Sequence, residues 1–535
     1  MTGLALRPYT PLRMVLTICG HCFSEDPDRE IDYETDILQG NLVAMDGKVY
    51  LRRLCQRGHG EVWSLYEEDF RLWDYLQQWR VPTREVVGDR PANLRPIPMG
   101  YADGLGELQT QHSCILLIDV TENCNLQCPT CYALSGPGIG RFAGVPHIMR
   151  TLDAAIEREG GRVDLLMLSG GEPTVHPQIV EIIEEATRRN VLRVVLNTNG
   201  IRVSKDDRLL TALARLRNRV EVYLQFDGFE LDTHLYHRGE DLREVKRLAI
   251  RRLTGERIFT TFAVAVAEGV NDREVGAIVD YALATDYIGG VALQPVFGSG
   301  RANPIDPMRR ATSTGTLRKL GEQTDGRVAP DDFIALPCSH PDCSALTYMI
   351  RTDDGTWRSI PKLVGIDVLK DHLALVGNRV APDDGVWKAL TGLMSETTLV
   401  SRPEMIDNIV SLCEACGLGV TGFVRAVGSA IFQRGEAIEK AALRVKRLSV
   451  KTFMDAWMMN VERLQQCCVH VGSIDDEQAA VRIPFCARQV FGALRRRTSA
   501  GMVPARELVG LNDPRLNGQR VPVAPAFATR EEVSS

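Results

Sequence analysis

Three cysteines in one short segment have the clearest potential for chemistry in this chain. Cys124, Cys128 and Cys131 form a Cys-x3-Cys-x2-Cys arrangement. Thiolates are the usual protein ligands of iron–sulfur clusters, and three of them can hold three irons of a four-iron cluster. The fourth iron then has no protein ligand and is open to a small molecule. A zinc site is the alternative interpretation, but structural zinc usually has four protein ligands, and this segment offers three.

A second motif, Gly170, Gly171, Glu172 and Pro173, lies at the end of the next predicted strand. Paired glycines allow a backbone to approach a ligand closely, and the carboxylate of Glu172 can meet a cationic group. Alone, this motif would indicate only a turn between a strand and a helix. Its position on the strand after the cysteine loop predicts that both motifs face one ligand.

Together the two motifs resemble the radical S-adenosylmethionine (SAM) superfamily, whose Gly-Gly-Glu-Pro element holds the methionine ammonium of SAM. The resemblance implies a [4Fe–4S] cluster on the cysteine triad, with SAM bound at the open iron. The implied activity is reductive cleavage of SAM to a 5′-deoxyadenosyl radical, which takes hydrogen from an unactivated carbon. It also implies a reductant such as a ferredoxin or a flavodoxin.

Polar residues at later strand ends extend this resemblance. In relatives, such positions contact the ribose, the methionine carboxylate and the adenine of SAM. The corresponding candidates here are Asn197, Thr198, Asn199, Gln225, Asp227 and Gln294. Capping of the following helix is the other interpretation of a polar strand end. His237 and Arg238 follow the fourth strand and lie either at the active site or in a surface loop.

Alternating strands and helices from about residue 112 predict an α/β domain. The predicted strands are 114–120, 163–168, 192–197, 219–226, 258–267 and 290–295. The predicted helices between them are 146–159, 177–190, 206–217, 240–253 and 272–286. Six β–α units in succession predict parallel strands joined by helical crossovers, hence a partial (β/α)6 TIM-like barrel with its site at the strand-end loops.

The N-terminal cysteines predict a small metal ribbon. Cys19 and Cys22 form a Cys-x2-Cys pair, and Cys55 with His59 supplies a second pair. Zinc and a single rubredoxin-like iron both suit four such ligands. His21 competes with His59 as a ligand, and a motif without metal is the remaining alternative.

Later cysteines and histidines form a further set of candidate metal ligands. One or two auxiliary iron–sulfur clusters are the favoured interpretation, and structural zinc is the alternative. The candidates are Cys338, His340, Cys343, Cys413, Cys416, Cys467, His470 and Cys486. Cys468 is interpreted as a spare neighbour, and Cys114 as a core residue of the first barrel strand.

The chain divides into six predicted parts. Proline- and glycine-rich composition marks the connectors and the tail. The parts are an N-terminal ribbon (1–78), a linker (79–111), the radical SAM core (112–300), a second linker (301–336), a C-terminal auxiliary-cluster region (337–500) and a weakly structured tail (501–535).

Composition narrows the class of protein. The 535 residues carry a net charge of −6, which argues against a general nucleic-acid binder. The sequence has no apolar run long enough to span a membrane and no signal-peptide pattern, so we expect a cytoplasmic protein. In a reducing compartment, paired cysteines bind metal more often than they form disulfides.

The basic segment Lys440–Lys451 predicts an amphipathic helix. The basic face of this helix either contacts a membrane surface or is simply exposed to solvent.

Several C-terminal segments resemble one particular branch of the radical SAM superfamily. They are similar to a branch that includes archaeal tetraether-lipid (GDGT/macrocyclic archaeol) synthases and radical SAM dihydropterin methylase-like proteins. This resemblance implies C–C bond formation on a hydrophobic, lipid-like substrate, or methylation of a pterin-like small molecule. A non-catalytic iron–sulfur protein for electron transfer or redox sensing is the third interpretation. The segments are Phe453–Ala456, Val461–Arg463, Cys467–His470 and Ile483–Cys486.

Overall fold

A computed structural model describes residues 8–79, 113–364, 443–504 and 507, apart from 27, 30, 33, 34, 337, 338, 353, 475–479 and 500. The N-terminal part is an antiparallel sheet of strands β1 (Thr10–Thr17), β2 (Leu38–Met45), β3 (Lys48–Cys55) and β4 (Gly60–Glu67). Asp46 and Gly47 join β2 to β3 with φ of 51° and 74°. Positive φ at both positions is what a tight two-residue hairpin requires, so this turn fixes the register of the ribbon.

Six parallel strands form the centre of a second, larger sheet, in the order β11-β10-β9-β8-β7-β5. They are apolar along most of their length because both faces of the sheet are covered. They confirm the predicted α/β fold with a partial TIM-like barrel. In chain order the strands are β5 (Ile115–Thr121), β6 (Arg141–Ala143, a short antiparallel partner of β5), β7 (Val163–Gly170), β8 (Val191–Thr198), β9 (Val220–Gln225), β10 (Thr260–Val266) and β11 (Ile288–Pro295).

The C-terminal part of the chain extends this sheet at both edges. One strand runs parallel to β11 and another runs parallel to β5, so two parallel strands are added to the predicted six. Within the described residues no strand joins the two edges, and the barrel stays open. These later strands are β12 (Ile334–Ala335), β13 (Ser344–Arg351), β14 (Trp357–Ser359), β15 (Val445–Lys451, beside β11), β16 (Val469–Ile474, beside β5), β17 (Ala480–Pro484) and β18 (Met502–Pro504).

Helices cover the outer face of the large sheet. In the helix Asp207–Arg215, Leu209 and Leu213 lie at helical spacing and are buried in the main core. The helices are α1 (Gly20–Glu25), α2 (Phe70–Gln77), α3 (Val145–Arg158), α4 (Ile179–Arg188), α5 (Asp207–Arg215), α6 (Leu231–Arg238), α7 (Arg243–Gly255), α8 (Val275–Ala284), α9 (Ser313–Gln323), α10 (Ile360–Val364), α11 (Val461–Gln465), α12 (Phe485–Val490) and α13 (Gly492–Thr498).

Alternate residues of the parallel strands enter two separate cores. On β5, Leu116 and Ile118 pack in the outer core with the helices, whereas Leu117 enters an inner core with Trp457 and Phe485. This alternation follows from the two-residue period of a strand. The inner core is therefore built by the barrel together with the C-terminal segments.

The ribbon is fastened to this body by buried hydrogen bonds. Glu67, the last residue of β4, accepts hydrogen bonds from the Thr314 amide (2.8 Å) and hydroxyl (2.7 Å) at the start of α9. Asp342 accepts hydrogen bonds from the Tyr66 hydroxyl (2.7 Å) and the Trp73 indole (2.9 Å). Both carboxylates are buried, so the ribbon is an integral layer of the structure.

Two segments differ from the sequence predictions. The predicted linker 301–336 contains α9, whose Leu317 and Leu320 lie in the outer core. The basic segment predicted as a helix contains instead the strand β15, because Leu448 and Val450 alternate with polar residues and pack outward. The linker 79–111 and the tail 501–535 lie outside the described residues, except for positions 79, 501–504 and 507. None of the described helices combines the length and apolarity that crossing a membrane requires.

Candidate functional site

The loop between β5 and β6 carries the cysteine triad at the carboxyl edge of the parallel strands. Cys124 and Cys128 are buried, Cys131 is half-buried, and the three pack in one cluster. The Cys124 amide donates to the Gly136 carbonyl (3.2 Å), and the Arg301 guanidinium donates to the Cys128 carbonyl (2.7 Å). These bonds fix a loop that has no regular secondary structure of its own.

The glycine pair at the end of β7 holds the same loop. The Gly171 amide donates to the Thr121 carbonyl (2.7 Å), and the Glu172 amide donates to the Asn123 carbonyl (2.9 Å). Gly170 has a φ of 125°, and a Cβ on either glycine would overlap a carbonyl oxygen of the cysteine loop. Only glycine allows this approach, so the second motif positions the first.

The Glu172 carboxylate is held by four protein donors, three on Oε1 and one on Oε2. It accepts hydrogen bonds from the Thr174 amide (3.0 Å) and hydroxyl (2.6 Å), from the Thr198 hydroxyl (2.7 Å) and from the Asn199 amide (2.7 Å). A carboxylate offers about four acceptor positions. Glu172 therefore ties the end of β7 to the end of β8.

A chain of hydrogen bonds crosses the ends of the next strands. The Gln225 amide donates to Asn197 (2.6 Å), and the Arg238 guanidinium donates to Gln225 (3.0 Å). Arg238 also forms a bidentate pair with Asp227 (2.6 and 2.8 Å). Burial opposes the charge of Asp227, but Arg238 outweighs it and holds the pKa of Asp227 below its usual range. Arg238 therefore lies at the site, whereas a surface loop was the sequence alternative.

Without a bound metal, burial disfavours the thiolate form of two of the triad cysteines. Burial raises the pKa of Cys124, and the nearby Glu172 carboxylate raises it further. Burial also raises the pKa of Cys128, although the adjacent Arg238 guanidinium opposes this shift. A coordinating metal deprotonates a thiol outright. Three clustered thiols beside one guanidinium thus fit a cluster held by three thiolates.

One cavity of about 160 Å³ brings the predicted site residues together. The triad lines one part of its wall, and the strand ends of the barrel line another. Of the predicted cofactor contacts, Pro173 and Asp227 are not among its lining residues. Those that line it are Gly170, Gly171, Glu172, Asn197, Thr198, Asn199, Gln225 and Gln294.

Sequence reasoning missed several other lining residues, and the polar ones among them include Tyr132, Tyr223 and Lys451. Gln294 donates a hydrogen bond to the Tyr223 hydroxyl (2.9 Å). Tyr223 could have been found because it alternates with Gln225 on β9, so both side chains point inward. Lys451 gave no such signal, since its strand was predicted as a helix.

The four predicted ribbon ligands converge on one point. The His59 Nδ1 atom lies 3.6 Å from the Cys19 sulfur, 3.4 Å from the Cys22 sulfur and 3.5 Å from the Cys55 sulfur. The Cys22 and Cys55 sulfurs are 3.8 Å apart. A tetrahedral ion with bonds of about 2.3 Å to sulfur and about 2.0 Å to nitrogen requires edges of about 3.8 and 3.5 Å.

This geometry fits one tetrahedral ion, and it distinguishes the ribbon from the barrel loop. Within the described part of the chain, only these four residues form a group whose ligand atoms all lie within 4.8 Å of one another. His21 is not one of them, because its ring stacks on His59 at 4.9 Å between centroids. The wider arrangement of the triad suits a cluster.

A second cavity, of about 90 Å³, collects the described C-terminal cysteines. Cys343, Cys467 and Cys486 line it, as three of the predicted auxiliary ligands. Cys468 and Cys114 also line it, although they were interpreted as a spare neighbour and a core residue. Cys338, Cys413 and Cys416 lie outside the described residues.

The two predicted histidine ligands do not line this cavity. His470 Nδ1 lies 2.9 Å from the Ser113 hydroxyl. His340 Nδ1 accepts a hydrogen bond from the Asp342 amide (3.2 Å), and its Nε2 lies 3.6 Å from Glu462. Both imidazoles are buried among polar groups. Although each histidine lies close in sequence to a cysteine, neither lies at the wall of the cysteine-lined cavity.

Comparisons with known proteins agree with this site. The family described as the radical SAM superfamily matches residues 118–282, which include the cysteine loop and strands β7 to β10. The chain is 25% identical over 501 residues to the 7,8-dihydro-6-hydroxymethylpterin dimethyltransferase of Methanocaldococcus jannaschii, covering 89% of this chain and 92% of that protein. It is 28% identical over 188 residues to the mycofactocin maturase MftC of Mycobacterium tuberculosis, covering 35% of this chain and 46% of that protein.

Among solved structures, SuiB of Streptococcus suis bound to S-adenosylmethionine aligns over 40% of this chain and 47% of that chain, with 14% identity and a TM-score of 0.34. The family match includes strands β7 to β10, whose residues line part of the cavity, and the similarity to the pterin dimethyltransferase extends over most of the chain. This enzyme therefore contains a radical SAM domain within residues 118–282 and resembles the dihydropterin dimethyltransferase over most of its length, and the family of that domain implies SAM and a [4Fe–4S] cluster as cofactors.

Proposed function

We propose that this enzyme cleaves SAM reductively at the triad and functionalises an unactivated carbon of a hydrophobic substrate in the barrel lumen. The observation that carries the proposal is that the triad, the glycine pair and the strand-end amides line one cavity. When bound and reduced by a ferredoxin or a flavodoxin, the cluster supplies the electron that splits SAM into methionine and a 5′-deoxyadenosyl radical.

The side chains of the cavity have distinct proposed roles. Cys124, Cys128 and Cys131 hold three irons. Glu172 positions the backbone through the four hydrogen bonds that its carboxylate accepts, three on Oε1 and one on Oε2. The remaining acceptor position of Oε2, together with backbone carbonyls of the Gly-Gly segment, is proposed to meet the methionine ammonium. Strand-end amides such as Asn197 bind the polar groups of SAM, and the barrel walls exclude water.

The substrate class follows from the lumen below these residues. Leu165, Met167 and Val195 form an apolar wall, and Phe453 and Phe485 line both cavities. Such a wall gains free energy by burying apolar substrate surface. We propose a lipid-like substrate and radical C–C bond formation. A strain lacking the gene is expected to lose specific lipids, and an unchanged lipid profile would contradict this substrate.

A second candidate is methylation of a pterin-like molecule, favoured by the similarity to the pterin dimethyltransferase over most of the chain. The two candidates differ in their products. If SAM also donates the methyl group, methylation yields S-adenosylhomocysteine in addition to 5′-deoxyadenosine. Product analysis with extracted pterins and extracted lipids separates them, because only the true substrate class increases 5′-deoxyadenosine formation.

We also propose two further metal sites. Zinc or a single iron is held by Cys19, Cys22, Cys55 and His59, as their tetrahedral spacing supports. Cys343, Cys467 and Cys486 are proposed ligands of an auxiliary iron–sulfur cluster. Iron, zinc and sulfide analysis of the anaerobically purified full-length protein tests both proposals, since a protein without zinc or iron beyond the triad cluster contradicts them.

A further inference from the structure

A single guanidinium lies directly beside the cysteine triad. Arg238, the last residue of α6, lines the cavity of about 160 Å³ together with the three triad cysteines. Its guanidinium is within hydrogen-bonding reach of the Cys128 sulfur, and its side chain is only 13% exposed. A charge held away from bulk water acts strongly on its neighbours, because the local dielectric constant is low. Arg238 is therefore placed to act on a metal group that the triad holds.

The orientation of this guanidinium is fixed by a buried carboxylate. Asp227 is fully buried and accepts hydrogen bonds from Nε (2.6 Å) and Nη2 (2.8 Å) of Arg238. Nη2 also donates to Gln225 (3.0 Å). Arg238 lines the cavity, whereas Asp227 is not among its lining residues. The ion pair thus presents its cation, and not its carboxylate, to the triad.

Backbone contacts hold both members of this pair in place. The Ala265 amide on β10 donates to Asp227 Oδ1 (3.2 Å). The Thr130 hydroxyl, in the cysteine loop, donates to the His237 carbonyl (3.2 Å). This second bond fastens α6 to the cysteine loop one residue before Arg238. The position of the guanidinium relative to the triad is therefore set by two separate elements.

A fixed cation at this place favours the reduced state of an iron–sulfur cluster. A cluster held by three thiolates is anionic, and reduction adds a further negative charge. The nearby positive charge stabilises the reduced form more than the oxidised form, so it raises the reduction potential. Net charge and hydrogen bonds to the sulfurs are among the factors that set such potentials. Lys246, a second buried cation, donates instead to the Asn199 carbonyl (2.6 Å) and is not among the lining residues of the cavity.

We propose, building on the proposed function, that Arg238 raises the reduction potential of the triad cluster and that Asp227 orients it for this role. Arg238 acts through the Cys128 thiolate and is neither a metal ligand nor a contact of SAM. The electron comes from the ferredoxin or flavodoxin and enters the cluster, and no bond to Arg238 forms or breaks. The effect of the arginine is that a weaker reductant is sufficient to start SAM cleavage.

Redox titration of the anaerobically reconstituted full-length enzyme, followed by electron paramagnetic resonance, tests this role. The signal that changes when SAM is added identifies the triad cluster. At a fixed potential, Arg238→Met should lower the ratio of reduced to oxidised triad cluster about tenfold, which is a shift of about 59 mV for a one-electron couple. Arg238→Lys keeps the charge and should stay closer to the wild type.

Asp227→Asn separates an effect of charge from an effect of misfolding. It removes the negative member of the same ion pair, so it should increase the ratio of reduced to oxidised cluster. Asparagine tolerates the positive φ of this position, 67°. A general opening of the site would move both variants in the same direction, because both break the same pair.

An exposed ion pair close by in the chain provides the matched control. Arg243 forms a two-pronged pair with Asp241 at the start of α7, and both residues are exposed. Arg243→Met should leave the potential of the triad cluster unchanged, because solvent screens this charge. A shift equal to that of Arg238→Met would overturn the assignment to Arg238.

Two other outcomes overturn the proposal. In the first, Arg238→Met and Asp227→Asn shift the potential in the same direction or leave it unchanged. In the second, Arg238→Met keeps the wild-type potential but binds SAM more weakly, so that the arginine contacts SAM instead. A wild-type enzyme without any SAM-responsive cluster contradicts the proposed function itself. A responsive cluster whose potential ignores both substitutions contradicts only the role of Arg238.

Discussion

The ribbon and the barrel loop both group their cysteines, yet they present the sulfurs in opposite ways. In the ribbon, three sulfurs and one imidazole surround a point at tetrahedral spacing. In the barrel, three sulfurs form part of the wall of an open cavity. A metal with four protein ligands is closed to other molecules, whereas a site with an open position can bind substrate. We therefore expect a metal bound by the ribbon to be structural and a cluster bound by the triad to be catalytic.

The scaffolds explain this difference. Of the candidate ribbon ligands, Cys19 and Cys22 lie at the start of α1 just after β1, Cys55 ends β3, and His59 lies in the turn before β4. Antiparallel pairing of these strands brings the four residues together from different sides. The triad lies on one loop after a parallel strand and can face the metal from one side only. Parallel strands collect such loops at one edge, where other strand ends complete the site.

The largest effect is expected from removing one cysteine of the triad. Cys128→Ala removes one of three cluster ligands and should lower 5′-deoxyadenosine formation from SAM by at least about 10³-fold. The ribbon metal should stay bound, because its ligands lie on a different sheet. Metal analysis and product chromatography measure the two effects. Activity within about tenfold of wild type would contradict the assignment of the triad.

Removing a candidate ligand of the ribbon should instead lower stability and leave SAM cleavage intact. Cys22→Ser removes a ribbon ligand and should release one tightly bound ion, with a loss of unfolding free energy on the order of 5 kcal/mol. Folded protein should still cleave SAM. Cys114→Ala is the matched control, because it deletes a buried thiol that belongs to neither site. If Cys22→Ser and Cys114→Ala destabilise equally, the ribbon holds no structural metal.

A smaller effect is expected from the carboxylate that joins the ends of β7 and β8 beside the cysteine loop. Glu172→Gln replaces one acceptor oxygen with an NH2 group, which sets a donor against a protein donor and removes the negative charge, and it should weaken SAM binding by about 10- to 100-fold. The iron content should change little, since all three thiolates remain. Equilibrium dialysis with labelled SAM measures the affinity, and the exposed Glu181→Gln on α4 serves as the control. Wild-type SAM affinity in Glu172→Gln would show that this carboxylate does not organise the site.

The smallest effect concerns the buried hydrogen bonds between Glu67, at the end of β4, and Thr314, at the start of α9, which attach the ribbon to the barrel. Burial raises the pKa of Glu67 to about 7, although hydrogen bonds from Thr314 oppose the shift. A raised carboxyl pKa stabilises the fold below the unfolded pKa, and this contribution is lost as pH rises through about 7. Unfolding free energy should fall by about 2 kcal/mol between about pH 5 and pH 8. Denaturant titrations of wild type and Glu67→Gln check this, and an equally steep pH dependence in the variant would exclude Glu67 as its origin.

The barrel strands were predictable because each is an apolar run followed by an amphipathic helix. This local pattern placed the triad and Gly170 at adjacent strand ends, where the structure has them. The ribbon ligands were predictable for a related reason, since paired knuckles are short-range signals. Both predictions rest on residues that lie close together in the chain.

The failures involve long-range pairing. β15 pairs with β11 across a long separation in sequence, which local periodicity does not encode. Its apolar residues Leu448 and Val450 pack in the outer core, and its polar residues face a cavity. Its alternating pattern therefore differs from the apolar runs of the six parallel strands. The roles of His340 and His470 depend on Glu462 and Ser113, which are remote in sequence.

The most direct measurement is electron paramagnetic resonance of the anaerobically reconstituted, dithionite-reduced enzyme with and without SAM. If the triad leaves one iron open, SAM will change the signal of one reduced cluster in the wild type. Cys128→Ala will lack this SAM-dependent component, while Cys22→Ser will retain it. A wild-type spectrum that SAM leaves unchanged would contradict an open iron at Cys124, Cys128 and Cys131.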